Sequence, residues 1–279
     1  MILKSFSKIN LSLKVTGKFK KSRLHNIQSY FCLINLFDQI KIIKNKGLQD
    51  RVKFKGKFSK QIKKTTNSVL DTLKILREKN LIFDYYSVII DKRIPVFSGM
   101  GGGTSNAAFL LKYLSRNKVH KKLSNILDKK IGSDLKLFNY HQGFLKSINT
   151  IIPLKQKYKL YILLVYPNIK CSTRYIYSKI KKYSLKSKYD FARISNKKKF
   201  INLLSNENND LETIVVKKYP VIKKLIKEIQ QKRGCYFSRM TGSGSVCYGV
   251  FKTEKTAQEA YKELKVVYPK YWLSVAKTI

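Results

Sequence analysis

The stretch IPVFSGMGGGTSNAA, residues 94–108, places four glycines within five positions, directly before a run of apolar helix-forming residues. The glycines are Gly99, Gly101, Gly102 and Gly103. Without Cβ atoms they reach positive φ angles cheaply, so several backbone N–H groups can converge on one anion. Thr104 or Ser105 would cap the following helix, whose N-terminus favours phosphate. The stretch, introduced by Pro95, therefore predicts a polyphosphate-binding loop rather than a linker or a plain strand-to-helix turn.

The loop matches none of the common nucleotide-binding signatures. A Walker loop needs a lysine after its last glycine, and no lysine follows Gly103. A dinucleotide fingerprint starting at Gly99 would need a glycine where Thr104 stands. The chain also has neither the H-R-D nor the D-F-G motif of protein kinases. These absences indicate a kinase of another type.

The composition fits a folded protein of one large or two modest domains. The chain has 279 residues, of which 43% are hydrophobic, and a formal net charge of +43. Such a charge often indicates a nucleic-acid partner. However, the lysines are spread along the chain, and they accompany Ile, Asn, Tyr and Phe, residues that AT-rich codons encode. We therefore expect no dedicated nucleic-acid partner, although the charge would attract anionic small molecules.

The cysteines and histidines indicate neither a zinc site nor a secreted protein. Four cysteines lack C-x-x-C spacing, and three histidines lie far apart. Isolated cysteines are usual in a reducing cytosol. The apolar runs are short of the roughly 20 residues that a membrane helix needs, and no signal-peptide core opens the chain. We expect a cytoplasmic protein without a membrane partner, either a monomer or a homodimer.

Hydrophobic periodicity predicts an α+β chain with two domains, 1–153 and 154–279. In the first domain, strands are expected at the segments 5–15, 27–34, 38–43, 52–54 and 86–90, and helices at 67–76, after the glycine loop to about Ser115, and at 121–129. In the second domain, strands are expected at 158–166 and 272–277, a hairpin at 235–251, and helices at 173–182, 209–231 and 254–265. Residues 183–200 are expected to form a mobile surface connection. Two strand and helix units in the second domain resemble a ferredoxin-like sandwich.

Several separated motifs occur in the order typical of one enzyme superfamily. They are K-I-N-L at 8–11, His25, the glycine loop at 94–108, G-S-D at 132–134 and M-T-G-S-G-S at 240–245. This set resembles the GHMP small-molecule kinases, and the resemblance runs from Lys8 to about Val250. It implies a two-domain fold with a ribosomal-protein-S5-like N-terminal domain and a ferredoxin-like C-terminal domain. The triple glycine, His25 and Asn106 favour the branch that acts in isoprenoid precursor synthesis.

The resemblance implies transfer of the ATP γ-phosphoryl group to the 2-hydroxyl of a branched polyol carried on cytidine diphosphate. Asp134 matches the family's catalytic aspartate, which would accept the hydroxyl proton. Lys8 matches its lysine partner, which would stabilise negative charge during transfer. Taken alone, Asp134 could equally be a helix cap, and Lys8 one of many surface cations.

The resemblance also divides the remaining candidate residues between two ligands. ATP would contact Asn67, Pro95 and the segment from Gly99 to Ser105, with the Ser105 hydroxyl near Mg²⁺. The cytidine diphosphate substrate would contact Asn10, His25, Tyr177, Gly242, Ser243 and Gly244. An ordinary helix cap would explain Asn67 as well, and a hairpin turn would explain the glycines. The family commonly has an aromatic residue directly before the histidine, where this chain has Leu24.

Three other functions are compatible with parts of this pattern. A GHMP kinase acting on homoserine or mevalonate would share the loop and the catalytic pair. A basic RNA-associated protein would explain the charge, since the N-terminal domain of these kinases resembles a ribosomal-protein fold. An inactive paralogue is disfavoured because Lys8, Asp134 and the glycine loop are all intact.

Overall fold

The computed structural model describes residues 1–19, 24–63, 65–116, 121–187 and 194–279, and these form two compact units that alternate along the chain. The first unit comprises residues Met1–Lys8, Asn35–Val96 and Gly101–Tyr140. The second unit comprises residues Ile9–Ile34, Phe97–Met100 and His141–Ile279. The two predicted domains are instead separated by one boundary near residue 153. Because the units of the structure alternate along the chain, they do not test that boundary, which stays a prediction.

The first unit combines a small sheet with three helices. Strand β5 (Tyr85–Asp91) pairs antiparallel with the second half of the long strand β3 (His25–Asn45) and parallel with β4 (Arg51–Lys55). The helices are α1 (Ser68–Glu78), α2 (Gly102–Leu114) and α3 (Lys121–Lys130), and short 3-10 helices cover Ser59–Gln61 and Ser133–Asn139. The first strand, β1 (Ile2–Asn10), begins in this unit. Val88 and Ile90 of β5 are fully buried, as are Leu73 and Leu76 of α1, in keeping with the alternating and helical periodicities of these elements.

The second unit contains a four-stranded antiparallel sheet, which consists of β8 (Tyr161–Tyr166), β9 (Cys235–Met240), β10 (Cys247–Phe251) and β11 (Trp272–Lys277). The strands lie in the order β11-β8-β10-β9. Its helices are α4 (Thr173–Ser178), α5 (Lys197–Ser205), α6 (Asp210–Lys218), α7 (Pro220–Gln230) and α8 (Glu254–Val267). The strand order and the helical crossovers are those of a βαββαβ unit, which confirms the ferredoxin-like expectation.

Further strands of the second unit pair with the first half of β3. They are β2 (Lys14–Lys18) and β6 (Gln142–Ser147), both antiparallel to β3, and β7 (Thr150–Pro153), which pairs with β6. Sequence periodicity did not predict β6 and β7. Their short, mixed segments carry no alternation long enough to separate a strand from a loop.

The structure corrects four element boundaries. The single strand expected at 5–15 is two strands, because β1 ends at Asn10 and β2 begins at Lys14. The two strands expected between 27 and 43 are one continuous strand, β3. The helix expected at 209–231 is broken at Tyr219, because Pro220 has no N–H and starts a new helix. The helix expected at 173–182 ends at Ser178.

The segment 183–200 also differs from the expected surface connection. Part of it, from residue 197, forms helix α5, whose apolar side includes the buried Phe200. Residues 188–193 lie outside the described part of the chain. Across the described ranges, no helix is both long enough and apolar enough to cross a membrane.

Candidate active site

The predicted catalytic pair forms in the first unit. Lys8 Nζ lies 3.1 Å from Asp134 Oδ2, and the two side chains are 4% and 31% exposed. Lys8 comes from β1, and Asp134 stands in the first turn of the 3-10 helix that follows Gly132. The ammonium is therefore held inside the unit, while the carboxylate keeps one side open to a ligand.

The glycine loop brings the start of helix α2 against this pair. Gly101 has a left-handed backbone (φ 69°), and a Cβ there would lie 3.2 Å from Lys8 Cε and from Phe138 Cζ. Only glycine permits both this conformation and this close approach. Helix α2 begins immediately afterwards, and its first N–H groups have no acceptor within the helix. This geometry is suited to binding phosphate.

The expected N-cap of helix α2 was wrong. The cap is Gly101, and Thr104 and Ser105 lie inside the first turn, where Ser105 N donates to Gly101 O over 2.8 Å. The helix starts earlier than expected because the left-handed glycine turns the chain before the first hydroxyl residue. The Cβ position of Gly132 lies 3.7 Å from Thr104 Oγ1, so Thr104 faces the segment that carries Asp134.

The Ser105 hydroxyl is buried and bonded within the protein. It donates to Phe6 O over 2.5 Å and lies 2.7 Å from Ser5 Oγ. Because this hydroxyl is fully buried and bonded on both sides within the protein, the residue fits poorly as a metal ligand. Among the described residues, no group of three or more His, Cys, Asp and Glu side chains could hold a metal ion.

A buried polar network packs against the N-terminal part of helix α2. Lys92 Nζ forms a very short ion pair with Asp38 and donates to Asn106 Oδ1 over 3.0 Å. Asp38 also accepts from Asn106 Nδ2 over 3.0 Å and from the backbone N–H groups of Arg93 and Ile94. Burial lowers the pKa of Lys92, and the Asp38 carboxylate opposes that effect. The network ties the chain before the glycine loop to the helix after it.

Asn67 caps helix α1, as the alternative interpretation expected. Its side chain accepts hydrogen bonds from Val69 N and Leu70 N over 3.2 and 3.1 Å. The next residue, Ser68, donates to Gly103 O over 2.9 Å, so this cap lies beside the glycine loop. Pro95, at the other end of the loop, is buried. An adenine contact of Asn67 stays a prediction.

In the second unit, Gly99 packs directly against the turn that carries the third motif. A Cβ at Gly99, whose φ is 78°, would overlap Thr241 O and lie 3.0 Å from Gly244 N. Ser98 O accepts from Val246 N over 3.2 Å. The position of the turn is further fixed by Asn10 N, which donates to Thr241 Oγ1 over 2.9 Å.

The glycines of this turn are also constrained by their neighbours. A Cβ at Gly242 would lie 2.7 Å from Gly99 O and 3.3 Å from Asn10 Oδ1. A Cβ at Gly244 would lie 2.5 Å from Met240 Sδ. Both residues have positive φ angles. The G-S-G sequence therefore follows from the tight packing of the turn, whatever it binds.

Ser243 and the aromatic candidates extend the site of the second unit along helix α4. Ser243 Oγ lies 2.8 Å from Thr173 Oγ1, at the start of that helix. Further along it, the Tyr177 ring lies 5.2 Å from the His25 ring, centroid to centroid. Tyr183 lies 6.4 Å from His25 on the same measure. His25 is thus flanked by two tyrosines, although Leu24 supplies no aromatic ring.

The surroundings of His25 favour the neutral form of its imidazole. Partial burial, assisted by the positive charge of Lys18, lowers the pKa of its imidazole below the ordinary value of 6.5. A neutral imidazole offers one donor and one acceptor nitrogen. Two tyrosines and a neutral imidazole form a surface suited to a flat heterocyclic base.

The structure therefore groups the predicted residues by unit. The first unit brings together Lys8, Asp134, Asn67 and residues 101–105. The second unit brings together Asn10, Gly99, Gly242, Ser243 and Gly244, and joins Tyr177 to His25.

Sequence reasoning missed several residues that hold these groups in place. Thr241 stood inside the quoted third motif and could have been recognised from it. Asp38, Lys92 and Thr173 carried no such signal, because they meet their partners only through the fold.

Comparisons with known proteins agree with this arrangement. A family model described as GHMP kinases C terminal matches residues 190–270. A curated 4-diphosphocytidyl-2-C-methyl-D-erythritol kinase of Pelagibacter ubique (strain HTCC1062) is 38% identical over 282 residues, covering 99% of this chain and 98% of that protein. A protein of the same name from Buchnera aphidicola subsp. Acyrthosiphon pisum (strain APS) is 33% identical, covering 92% of this chain and 89% of its own.

Solved structures show the same fold at lower identity. A 4-(cytidine 5'-diphospho)-2C-methyl-D-erythritol kinase superimposes with a TM-score of 0.75 and 19% identity, covering 99% of both chains. The mevalonate kinase of Methanococcus jannaschii superimposes with a TM-score of 0.70 and 17% identity, covering 100% of this chain and 98% of its own. At these identities the structural matches establish the fold only. Evidence on the phosphoryl acceptor comes from the relatives that are similar in sequence.

Proposed function

Because the chain belongs to the 4-diphosphocytidyl-2-C-methyl-D-erythritol kinase family, it is an ATP-dependent small-molecule kinase of isoprenoid precursor synthesis, and we propose how its residues perform the transfer. The acceptor is the 2-hydroxyl of 4-diphosphocytidyl-2-C-methyl-D-erythritol, and the product is the 2-phosphate. The observation that carries the mechanism is the Lys8–Asp134 pair, held at 3.1 Å against the start of helix α2.

Asp134 accepts the proton of the acceptor hydroxyl as its oxygen attacks the γ-phosphorus of ATP. The new oxygen–phosphorus bond replaces the bond to the bridging oxygen, and ADP leaves. The partial exposure of Asp134 supports this role, because a base must reach a bound substrate. Lys8 is buried and pairs with Asp134, so it orients the carboxylate and stabilises negative charge on the transferring group.

The N–H groups of residues 102–104 bind the ATP phosphates, and the position of Asn67 beside Gly103 supports an adenine contact there. Mg²⁺ accompanies ATP in this class of reaction and would neutralise phosphate charge. The bonded Ser105 hydroxyl does not fit as its ligand, so none of the steps above depends on it.

The cytidine diphosphate acceptor is assigned to candidate residues of the second unit. His25 and Tyr177 bind the base, which their ring geometry supports. Asn10, Gly242, Ser243 and Gly244 border the acceptor, which is supported by the Ser243–Thr173 contact that joins their turn to helix α4, where Tyr177 stands. The four cysteines carry no disulfide, which supports a reducing, cytoplasmic location.

The test incubates the purified protein with ATP, Mg²⁺ and the acceptor, and follows phosphorus NMR for a new phosphomonoester. Homoserine and mevalonate serve as matched alternative acceptors, since kinases of those substrates share the fold. A monoester formed only with the cytidyl acceptor supports the proposal. No product above a heat-inactivated control, or faster turnover of homoserine or mevalonate, would contradict it.

A further inference from the structure

Phe97 has an unusual backbone conformation for an aromatic residue. Its φ is 57°, in the left-handed region that a side chain with a Cβ adopts at a cost. Within the described part of the chain, the other non-glycine residues with positive φ are Asn80, Arg116 and Asn168. Asparagine tolerates this conformation well, whereas a phenylalanine there stores strain.

The surrounding structure maintains this strained conformation. The next residue, Ser98, accepts from Val246 N over 3.2 Å, and Gly99 packs on the Thr241 carbonyl. Both contacts fix the chain immediately after Phe97 to the turn at residues 241–246. A glycine or asparagine at position 97 would fit the same path with less strain, so the ring needs another explanation.

Burial of the ring does not explain why a phenylalanine occupies this position. Half of the side chain is exposed to solvent, so much of its apolar area gains nothing from the fold. Lys170 Nζ lies 6.0 Å from the ring centroid, which makes the two side chains one apolar and cationic corner. Strained, exposed residues of this kind occur at ligand-binding sites.

Lys170 belongs to the segment that leads to the proposed base-binding residues. Ser245 Oγ donates to Ile169 O over 2.5 Å, and Thr173 Oγ1 contacts Ser243 Oγ over 2.8 Å. Tyr177 follows on the same segment and contacts His25. The corner and the base-binding rings are therefore carried by one anchored segment of the second unit.

We propose that Phe97 and Lys170 form a binding corner for the diphosphate-bearing part of the acceptor. The Phe97 ring covers a carbon face of the adjoining ribose, and the Lys170 ammonium pairs with phosphate charge. The inference rests on the proposed function, because it takes the acceptor to be a nucleoside diphosphate ester. It explains why position 97 holds an aromatic residue in a conformation that favours glycine.

The test compares Phe97→Asn with Phe97→Tyr, because asparagine accepts the backbone and tyrosine keeps a ring. Phe97→Asn should raise the KM for the acceptor about three- to tenfold, leave the KM for ATP within twofold, and keep or raise the Tm. Phe97→Tyr should have the same KM for the acceptor as the wild type. Arg116→Asn, at a positive φ outside the proposed binding residues, is the matched control and should change neither KM.

Three results would overturn the inference. They are an unchanged acceptor KM in Phe97→Asn, an equal rise in the KM for ATP, and a lowered Tm that tyrosine restores, which would make the ring structural. Calorimetric titration with cytidine diphosphate gives a readout independent of turnover. A wild-type enzyme that yields no product contradicts the proposed function, whereas equal cytidine diphosphate affinity of wild type and Phe97→Asn contradicts this inference alone.

Discussion

Replacing Gly99 by alanine should destabilise the second unit, while the same change at Gly103 should not. A Cβ at Gly99 would overlap Thr241 O and lie 3.1 Å from the Thr241 carbonyl carbon. The obstacle is backbone on both sides, so no side-chain rotation relieves it. At Gly103 the nearest atom to a new Cβ is Ser68 Oγ at 3.7 Å, which is ordinary contact. The two glycines, four positions apart in the sequence, therefore form a matched pair.

The expected cost at Gly99 combines two effects. Forcing an alanine to a φ of 78° costs about 1–2 kcal/mol. The shift away from Thr241 also weakens the Val246 N to Ser98 O hydrogen bond, which contributes about 0.5–1.5 kcal/mol. A total of about 2–3 kcal/mol lowers the Tm by about 5–10 °C in a chain of this size. Gly103→Ala, inside a helix, should leave the Tm equal or slightly higher.

Thermal unfolding followed by circular dichroism compares the two variants with the wild type under one buffer. The close packing of the loop and the turn predicts a lower Tm for Gly99→Ala only. Equal melting temperatures for Gly99→Ala and Gly103→Ala would refute the assignment of the Gly99 conformation to packing against Thr241.

Three further predictions test other parts of the account. Lys92→Met should cost about 3–5 kcal/mol in urea unfolding, because it leaves Asp38 buried without its cation, whereas Lys44→Met, at an exposed pair, should have no measurable effect. A loss for Lys92→Met as small as that control would contradict the network. Asn67→Ala should cost about 1 kcal/mol by removing a helix cap. Asn67→Ser should have the stability of the wild type, because serine also caps helices, but its KM for ATP should stay raised. A KM for ATP equal to that of the wild type would show that Asn67 acts only as a helix cap. The KM for the acceptor should rise as the pH falls below 6.5, because protonation of His25, whose pKa is lowered, charges a ring that binds as a neutral one. The same pH profile in His25→Asn would contradict that assignment.

The lowered pKa of His25 also makes folding stability depend on pH. Its pKa is lower in the folded state than the 6.5 of the unfolded chain. The unfolded state therefore binds more protons between the two values, and stability falls as the pH is lowered through that window. Above the pKa of His25 in the unfolded chain, the contribution of neutral His25 to folding stability is fully present. Acid therefore weakens both folding and the proposed contact of His25 with the base.

Local sequence predicted the parts of the site that are encoded within a few residues. The glycine loop, the Asn67 cap and the G-S-D turn each carry their chemistry in adjacent positions. The break at Tyr219 could also have been read from Pro220, since a proline starts a helix more readily than it continues one. The N-cap of α2 was misplaced because hydroxyl residues are common caps, whereas here a left-handed glycine performs that role.

Long-range partners could not be predicted from the sequence. Asp38 lies 54 residues from Lys92 and 68 from Asn106, and no periodicity relates these positions. The strain at Phe97 is equally invisible, because the loop sequence does not specify which residue takes a positive φ. Only the fold determines which of many lysines is buried and which phenylalanine stays exposed.

The central claim is that Asp134, paired with Lys8, takes the acceptor proton, and Asp134→Asn tests it most directly. Asparagine keeps the shape of the side chain but cannot serve as a base. Single-turnover phosphoryl transfer to the cytidyl acceptor should fall by a factor of about 10²–10⁴, while the Kd for ATP, from calorimetric titration, stays within about twofold. A variant that transfers phosphate at a rate close to that of the wild type would contradict the account.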